Sequence, residues 1–189
     1  MVDINQRIAE RVRALRGSLS LDALAARCDV SRSMLSLVER AESSPTAVVL
    51  EKIATGLGVP LASLFEDAGG ASPVSHGKDR VPWRDPESGY IRRNISPPGF
   101  SSPLQIVAVE LPAGARVAYE TGAREPAVHQ QIWVQAGALE VTVGDSVHRL
   151  TQDDCLAMQL NAPVTFRNRT RKAARYVVVI STEHQRRSR

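Results

Sequence analysis

Apolar residues recur every three to four positions from Ile4 to about Phe65, and then the period changes. Ile4, Ile8, Val12 and Leu15 mark one face of a first helix, with Arg7, Arg11, Arg13 and Arg16 among them. Ser20 stands where an N-cap belongs for a helix over Leu21 to Cys28, and Ser31 does the same for Arg32 to Arg40. Thr46 caps a helix ending near Leu57 and Gly58, where the glycine suits a C-cap, and Val59-Pro60 opens a last short helix through Phe65. Residues 67–80 keep no apolar period and have the Gly, Ser and Pro content of a linker.

From about residue 81 the pattern becomes that of strands. Leu104 to Leu111 alternates and ends at the turn Pro112-Ala-Gly114. Gln130 to Val134 and Leu139 to Val143 are separated by Ala136-Gly137-Ala138, and Gly144-Asp145 is a hairpin signal before Val147 to Leu150. Cys155 to Leu160, Val164 to Phe166 and Arg175 to Ile180 follow. Many short strands with no helix between them predict an antiparallel sandwich or barrel. The expected organisation is an all-α domain of five short helices over 1–66, a linker over 67–80, an all-β domain over 81–183 and a basic tail over 184–189.

Composition narrows this picture. The hydrophobic fraction is 43% and the aromatic fraction 4%, so the cores must be mainly aliphatic. No run approaches the roughly 20 apolar residues that span a bilayer, and the N-terminus lacks the charged-then-apolar order of a signal peptide. The expectation is a soluble cytoplasmic protein with no membrane partner. Cys28 and Cys155 form no CxxC and read as free thiols. The net charge is +4, but residues 1–67 hold 8 Lys/Arg against 9 Asp/Glu. Charge alone would therefore assign nucleic-acid binding to the wrong half, and placement must carry that argument.

Placement does so between Leu21 and Arg40. Leu21, Leu24 and Ala25 form an inward face, Cys28-Asp29-Val30 is a turn plugged by Val30, and Leu35 and Val38 turn inward on the next helix. The start of that second helix is left exposed with Arg32, Ser33 and Ser36, the geometry that puts short polar side chains into a major groove about 12 Å wide. The alternative for these residues is a helical bundle with no nucleic-acid role.

This stretch resembles the lambda-repressor-like (XRE) helix-turn-helix regulators over residues 4–66. The matching features are Leu24-Ala25, Val30-Ser31, Leu35-Ser36, Glu39, the loop from Glu42 to Thr46, Ile53-Ala54, Leu57 and Leu64-Phe65. The turn from Leu15 to Leu19 is two or three residues shorter than the family's. The resemblance places Arg32, Ser33 and Leu37 at base-reading positions; an arginine there takes guanine O6 and N7, and Leu37 meets a thymine methyl. Ser20, Ser31, Arg40, Ser43, Ser44 and Thr46 become phosphate-contact candidates at caps and loops. Glu39 is expected to pair with Arg13 or Arg16 as a structural tie. The implied partner is double-stranded DNA with a palindromic operator, bound by a homodimer.

The later segment resembles the cupin jelly roll that follows such helix-turn-helix domains, through Leu111-Pro-Ala-Gly114, Val134 to Gly137, Asp153-Asp154, Ala162-Pro163 and Phe166-Arg-Asn168. Cupin enzymes hold a metal through two His/Glu motifs. Anchored on Gly137, the glutamate position falls on Gln130, and the histidine positions fall on Ala123 and Glu125 or on Arg124 and Pro126. Anchored on Asn168, the histidine falls on Val164. A divalent metal wants three or four converging His, carboxylate or thiolate donors, so no metal, no cofactor and no metal-dependent catalysis are expected. His129, one residue off the glutamate position, points to the opposite face of its strand. What remains is a barrel suited to a small effector, with Arg124, Gln130, Ile132, Met158, Val164 and Phe166 as candidate contacts. A filled barrel used only for dimerisation is the alternative for that set. Trp133, outward by alternation, fits a subunit contact. The resulting reading is a ligand-responsive DNA-binding transcriptional regulator, set against a cupin enzyme with an accessory DNA-binding domain and against a protein-interaction module.

Overall fold

The computed structural model describes residues 3–66, 72–100, 102–122 and 127–182. The chain divides into two compact units, residues 1–87 with 97–100, and residues 88–96 with 101–189. The basic tail and Arg124 lie outside the described residues.

The first unit holds helices α1 (Ile4–Arg16), α2 (Leu21–Cys28), α3 (Arg32–Glu39) and α4 (Ala47–Gly56). Each starts at a side chain that accepts an otherwise orphaned N–H: Asp3 from Asn5, Ser20 from Ala23, Ser31 from Met34 and Thr46 from Val49. Ile8, Val12, Leu24, Leu35, Leu50, Ile53 and Leu64 are fully buried between the helices. Gly56 on α4 lies so close to Cys28 on α2 that a Cβ there would collide with the Cys28 sulfur and backbone. The glycine thus sets how near these two helices pack.

The expected fifth helix is not α-helical. Leu61–Phe65 forms a 3-10 turn, so the unit has four α-helices. Pro60 begins it and Glu66 is already extended, which leaves five residues. That is too short a run to repay α-helix nucleation, and i→i+3 bonds such as Ser63 N–H to Pro60 O close it instead.

The first unit also reaches past the linker. Trp83, on the two-residue strand β1 (Trp83–Arg84), is buried with its ring edge-on to Phe65 at 5.4 Å. Asp85 is buried too, and its carboxylate accepts the Ala47 N–H at 2.9 Å, the first residue of α4. Trp83 and Asp85 thus belong to the first compact unit. A helical unit this small gains from the extra apolar ring and from an acceptor at a positive helix end.

The second unit holds β2 (Ile91–Asn94), β3 (Leu104–Leu111), β4 (Arg116–Tyr119), β5 (Val128–Ala136), β6 (Ala138–Val143), β7 (Ser146–Thr151), β8 (Cys155–Gln159), β9 (Val164–Arg167) and β10 (Ala174–Thr182). One sheet runs β2-β3-β10-β5-β8 and a four-stranded sheet runs β4-β9-β6-β7, with antiparallel pairing in both. The expected strand at Leu104–Leu111 is found at those bounds. β2 and β4 escape the sequence pattern because Arg92, Arg93 and Arg116 interrupt their alternation. The inner faces meet over Val107, Leu111, Ile132, Val134, Leu139, Val141 and Val164, all at most 2% exposed. Phe166 spans the two sheets, stacked on Tyr176 at 5.9 Å and edge-on to Tyr119 at 6.2 Å. Gly144-Asp145 makes the tight β6–β7 hairpin, with Gly144 at φ 55.

Candidate nucleic-acid interface

Between α2 and α3 the chain turns through Asp29 in the left-handed region (φ 50, ψ 47), which aspartate tolerates better than most residues. Val30 N–H closes onto Ala25 O, and Lys52 from α4 holds the Asp29 carboxylate at 2.6 Å. Leu35, Val38 and Glu39 then face inward on α3, while Ser31, Arg32 and Ser33 are exposed and Ser36 and Leu37 are half-buried. The first turn of α3 thus projects its polar side chains outward from the bundle.

Arg32 Nε lies 3.0 Å from Asp22 Oδ1, with both side chains more than three-fifths exposed. An ion pair that open to water contributes little and exchanges readily for another anion. The Ser31 hydroxyl accepts from Met34 N–H and sits 3.1 Å from Ser33 Oγ, so it acts as a cap. Ser20 and Thr46 likewise spend their hydroxyls on capping α2 and α4. Arg40 is exposed and paired with Glu42 at 2.9 Å, and Ser44 accepts from the Asn5 side-chain amide at 3.0 Å. Ser43 is half-buried, and its hydroxyl is enclosed with no hydrogen-bond partner among the described residues.

Two groups at this surface were not singled out from sequence. Asp22 is a lone carboxylate set against Arg32, and Asn5 ties α1 to the loop after α3. Neither carries a local signal, because each meets its partner only after the helices pack.

Glu39 holds the motif to α1. Arg16 donates from Nε and Nη2 to the two carboxylate oxygens at 2.6 and 3.0 Å, and Arg13 donates to the Glu39 backbone carbonyl. Both arginines named from the sequence are used, on different atoms.

In the second unit, the candidate effector residues other than Arg124 fall on the inner faces of both sheets. Ile132, Val164 and Phe166 are buried in the packed core, and Gln130 and Met158, half-buried, stand directly opposite one another on β5 and β8. Trp133 points outward at 48% exposure, in register with Ala108, Val177 and Cys155 across the sheet. Among the described residues no three His, Cys, Asp or Glu side chains converge as a metal site would need. Of the positions matched to the cupin metal motifs, the described Gln130 and Val164 supply no His, carboxylate or thiolate donor, and the others lie outside the described residues. Among the described residues no helix is long and apolar enough to cross a membrane.

The HTH_3 helix-turn-helix family model matches residues 11–64, from α1 through the 3-10 turn. The control protein C.MunI from a Mycoplasma species is 37% identical over 70 residues, covering 35% of this chain and 95% of that protein. The chain belongs to the HTH_3 family. The HTH-type transcriptional regulator SutR of Escherichia coli K12 is 45% identical to this HTH_3 protein over 64 residues, 34% of this chain and 35% of SutR, so the match spans about a third of that relative. The crystal structure of an HTH_3 family transcriptional regulator from Vibrio cholerae superposes with a TM-score of 0.75 at 25% identity, covering 96% of this chain and 98% of that one. The HTH_3 protein thus shares its whole two-unit build with that regulator, a helix-turn-helix domain followed by a cupin-like β domain.

Proposed function

We propose that this protein is a sequence-specific DNA-binding transcriptional regulator whose β unit is a metal-free sensor and dimerisation module. The observation that carries the reading is the start of α3: Arg32 and Ser33 are exposed, Arg32 held only by an open ion pair to Asp22, while Leu35 and Val38 anchor the same helix. Buried anchors on one side and short polar groups on the other are what a recognition helix needs. Arg32 reads a guanine, Ser33, Ser36 and Leu37 complete the base contacts, and Arg40 and Ser44 meet phosphates, whereas the Ser43 hydroxyl is enclosed and only its backbone is left for that role. The capped N-termini at Ser20 and Ser31 present backbone N–H groups to the same anionic backbone, whereas the end capped by Thr46 is already occupied by the Asp85 carboxylate.

Trp133 and its row of Ala108, Val177 and Cys155 support a two-fold contact through the outer face of the larger sheet. A homodimer places two recognition helices about 34 Å apart on a palindromic operator. The effector is a small molecule held between the sheets near Gln130 and Met158. The chain itself carries no catalysis.

Selection of bound sequences from random duplex DNA tests this reading. A single enriched palindrome is the expected result. Recovery of no sequence above background, with stoichiometric iron, nickel, manganese or zinc in the purified protein, would favour a cupin enzyme instead.

A further inference from the structure

The outer face of the four-stranded sheet carries an arrangement that DNA recognition does not use. In register across β4, β9, β6 and β7 stand Arg116, Arg167, Glu140 and Arg149. The neighbouring row is Ala118, Thr165, Thr142 and Val147. Arg169 enters from the segment after β9, and these side chains, Ala118 excepted, line an open concavity of about 340 Å³.

The bowl holds four guanidinium groups and a single carboxylate, and that carboxylate is already engaged. Arg169 Nε donates to both Glu140 oxygens at 2.9 and 3.0 Å, and Arg149 Nε approaches at 3.5 Å. Arg116 reaches only the Thr165 hydroxyl, at 3.5 Å, and Arg167 makes no ion pair among the described residues. Yet Arg116 and Arg167 are direct cross-strand partners. Residues so placed have Cβ atoms about 4.5–5.5 Å apart, and like charges there oppose each other. Two adjacent guanidiniums with no ion pair of their own among the described residues, although Glu140 stands across from Arg167, form with the threonine hydroxyls beside them a fork-shaped donor set that matches the oxygens of a tetrahedral anion. The concavity is of small-molecule size, whereas a duplex backbone tracks an extended surface.

We propose that this face binds a small phosphate-class oxyanion through Arg116 and Arg167, assisted by Thr165 and Thr142, with Glu140 holding Arg149 and Arg169 at the rim. The site lies on the opposite face of the sheet from the inner side chains Val164 and Phe166, and it stands independently of the effector reading for the interior.

The test is thermal melting of the full chain while inorganic phosphate or sulfate replaces chloride at constant ionic strength. Saturating phosphate is expected to raise the midpoint by about 4 °C. Arg116→Gln/Arg167→Gln should abolish that rise, and in chloride alone it should melt no lower than wild type, because the opposed charges are gone. Arg171→Gln, which changes an arginine outside the bowl, should keep the rise. No rise in wild type, or an equal rise in the double variant, overturns the proposal. A parallel arm measures affinity for random-sequence duplex DNA. Loss of that affinity in the double variant, with no phosphate-dependent shift in wild type, would make the face a nucleic-acid backbone contact and also overturn the proposal.

Discussion

Glu39 on α3 closes on Arg16 of α1 through two hydrogen bonds of 2.6 and 3.0 Å, with its carboxylate only 7% exposed. Helix α3 is thereby bolted to α1 at the end away from its exposed first turn. Glu39→Gln leaves the half-buried Arg16 guanidinium without its counter-charge and is expected to lower the unfolding free energy by about 2 kcal/mol. Urea unfolding checks this. A loss under about 0.5 kcal/mol would mean that water replaces the fork, as it does for exposed pairs.

The exposed end of the same helix should behave differently. Arg32→Ala should leave stability unchanged and relax the choice of one base pair, at about 1–3 kcal/mol of discrimination. Arg40→Ala should weaken all sites alike and reduce the salt slope by about 1. Binding isotherms on the selected operator and on single-base variants, at several salt concentrations, separate the two effects. Unaltered operator preference in the Arg32 variant would remove that residue from the readers.

The two cysteines should differ in reactivity. Burial against α4 pushes the Cys28 thiol up to about 11 from its ordinary 9.0, whereas Cys155 is exposed. The folded state thus resists ionising Cys28. Its contribution to stability is complete below pH 9 and is lost as pH rises from 9 toward 11. An Ellman titration at neutral pH should count one thiol in the folded protein and two in denaturant. Cys28→Ala should lose less stability than wild type over that alkaline window.

Asn168 is fully buried between the sheets' connecting segments. Its side-chain amide donates toward the carbonyls of Leu111, Pro112 and Lys172, and its oxygen accepts from Thr170 N–H and Oγ1. Asn168→Ala strands several of these groups, and a loss of about 3 kcal/mol in β-unit stability is expected. Asn168→Asp should not rescue it, since a carboxylate cannot donate to the three carbonyls. Chemical denaturation followed by near-UV circular dichroism reads both variants.

Trp133→Glu places a charge on the apolar outer row and should convert a dimer to monomer in sedimentation equilibrium without changing the fold. Operator affinity should fall with it, because one half-site is then read at a time. A variant that sediments as wild type would place the subunit contact elsewhere.

Most of the local architecture was legible in the sequence, because its signals act within one turn or one pleat. A hydroxyl at Ser20, Ser31 or Thr46 needs only the N–H three residues on. Alternation along β5 is enough to send Ile132 inward and Trp133 out. The inward anchors of α3 and its outward first turn follow from the same spacing. What no local rule reaches is which distant groups meet. Whether Arg13 or Arg16 takes the Glu39 carboxylate, that Trp83 and Asp85 complete the helical unit, and that Arg116 and Arg167 stand opposed were decided by packing and strand register. Those depend on how whole elements bury their apolar faces together, and that choice exists only once the chain has folded.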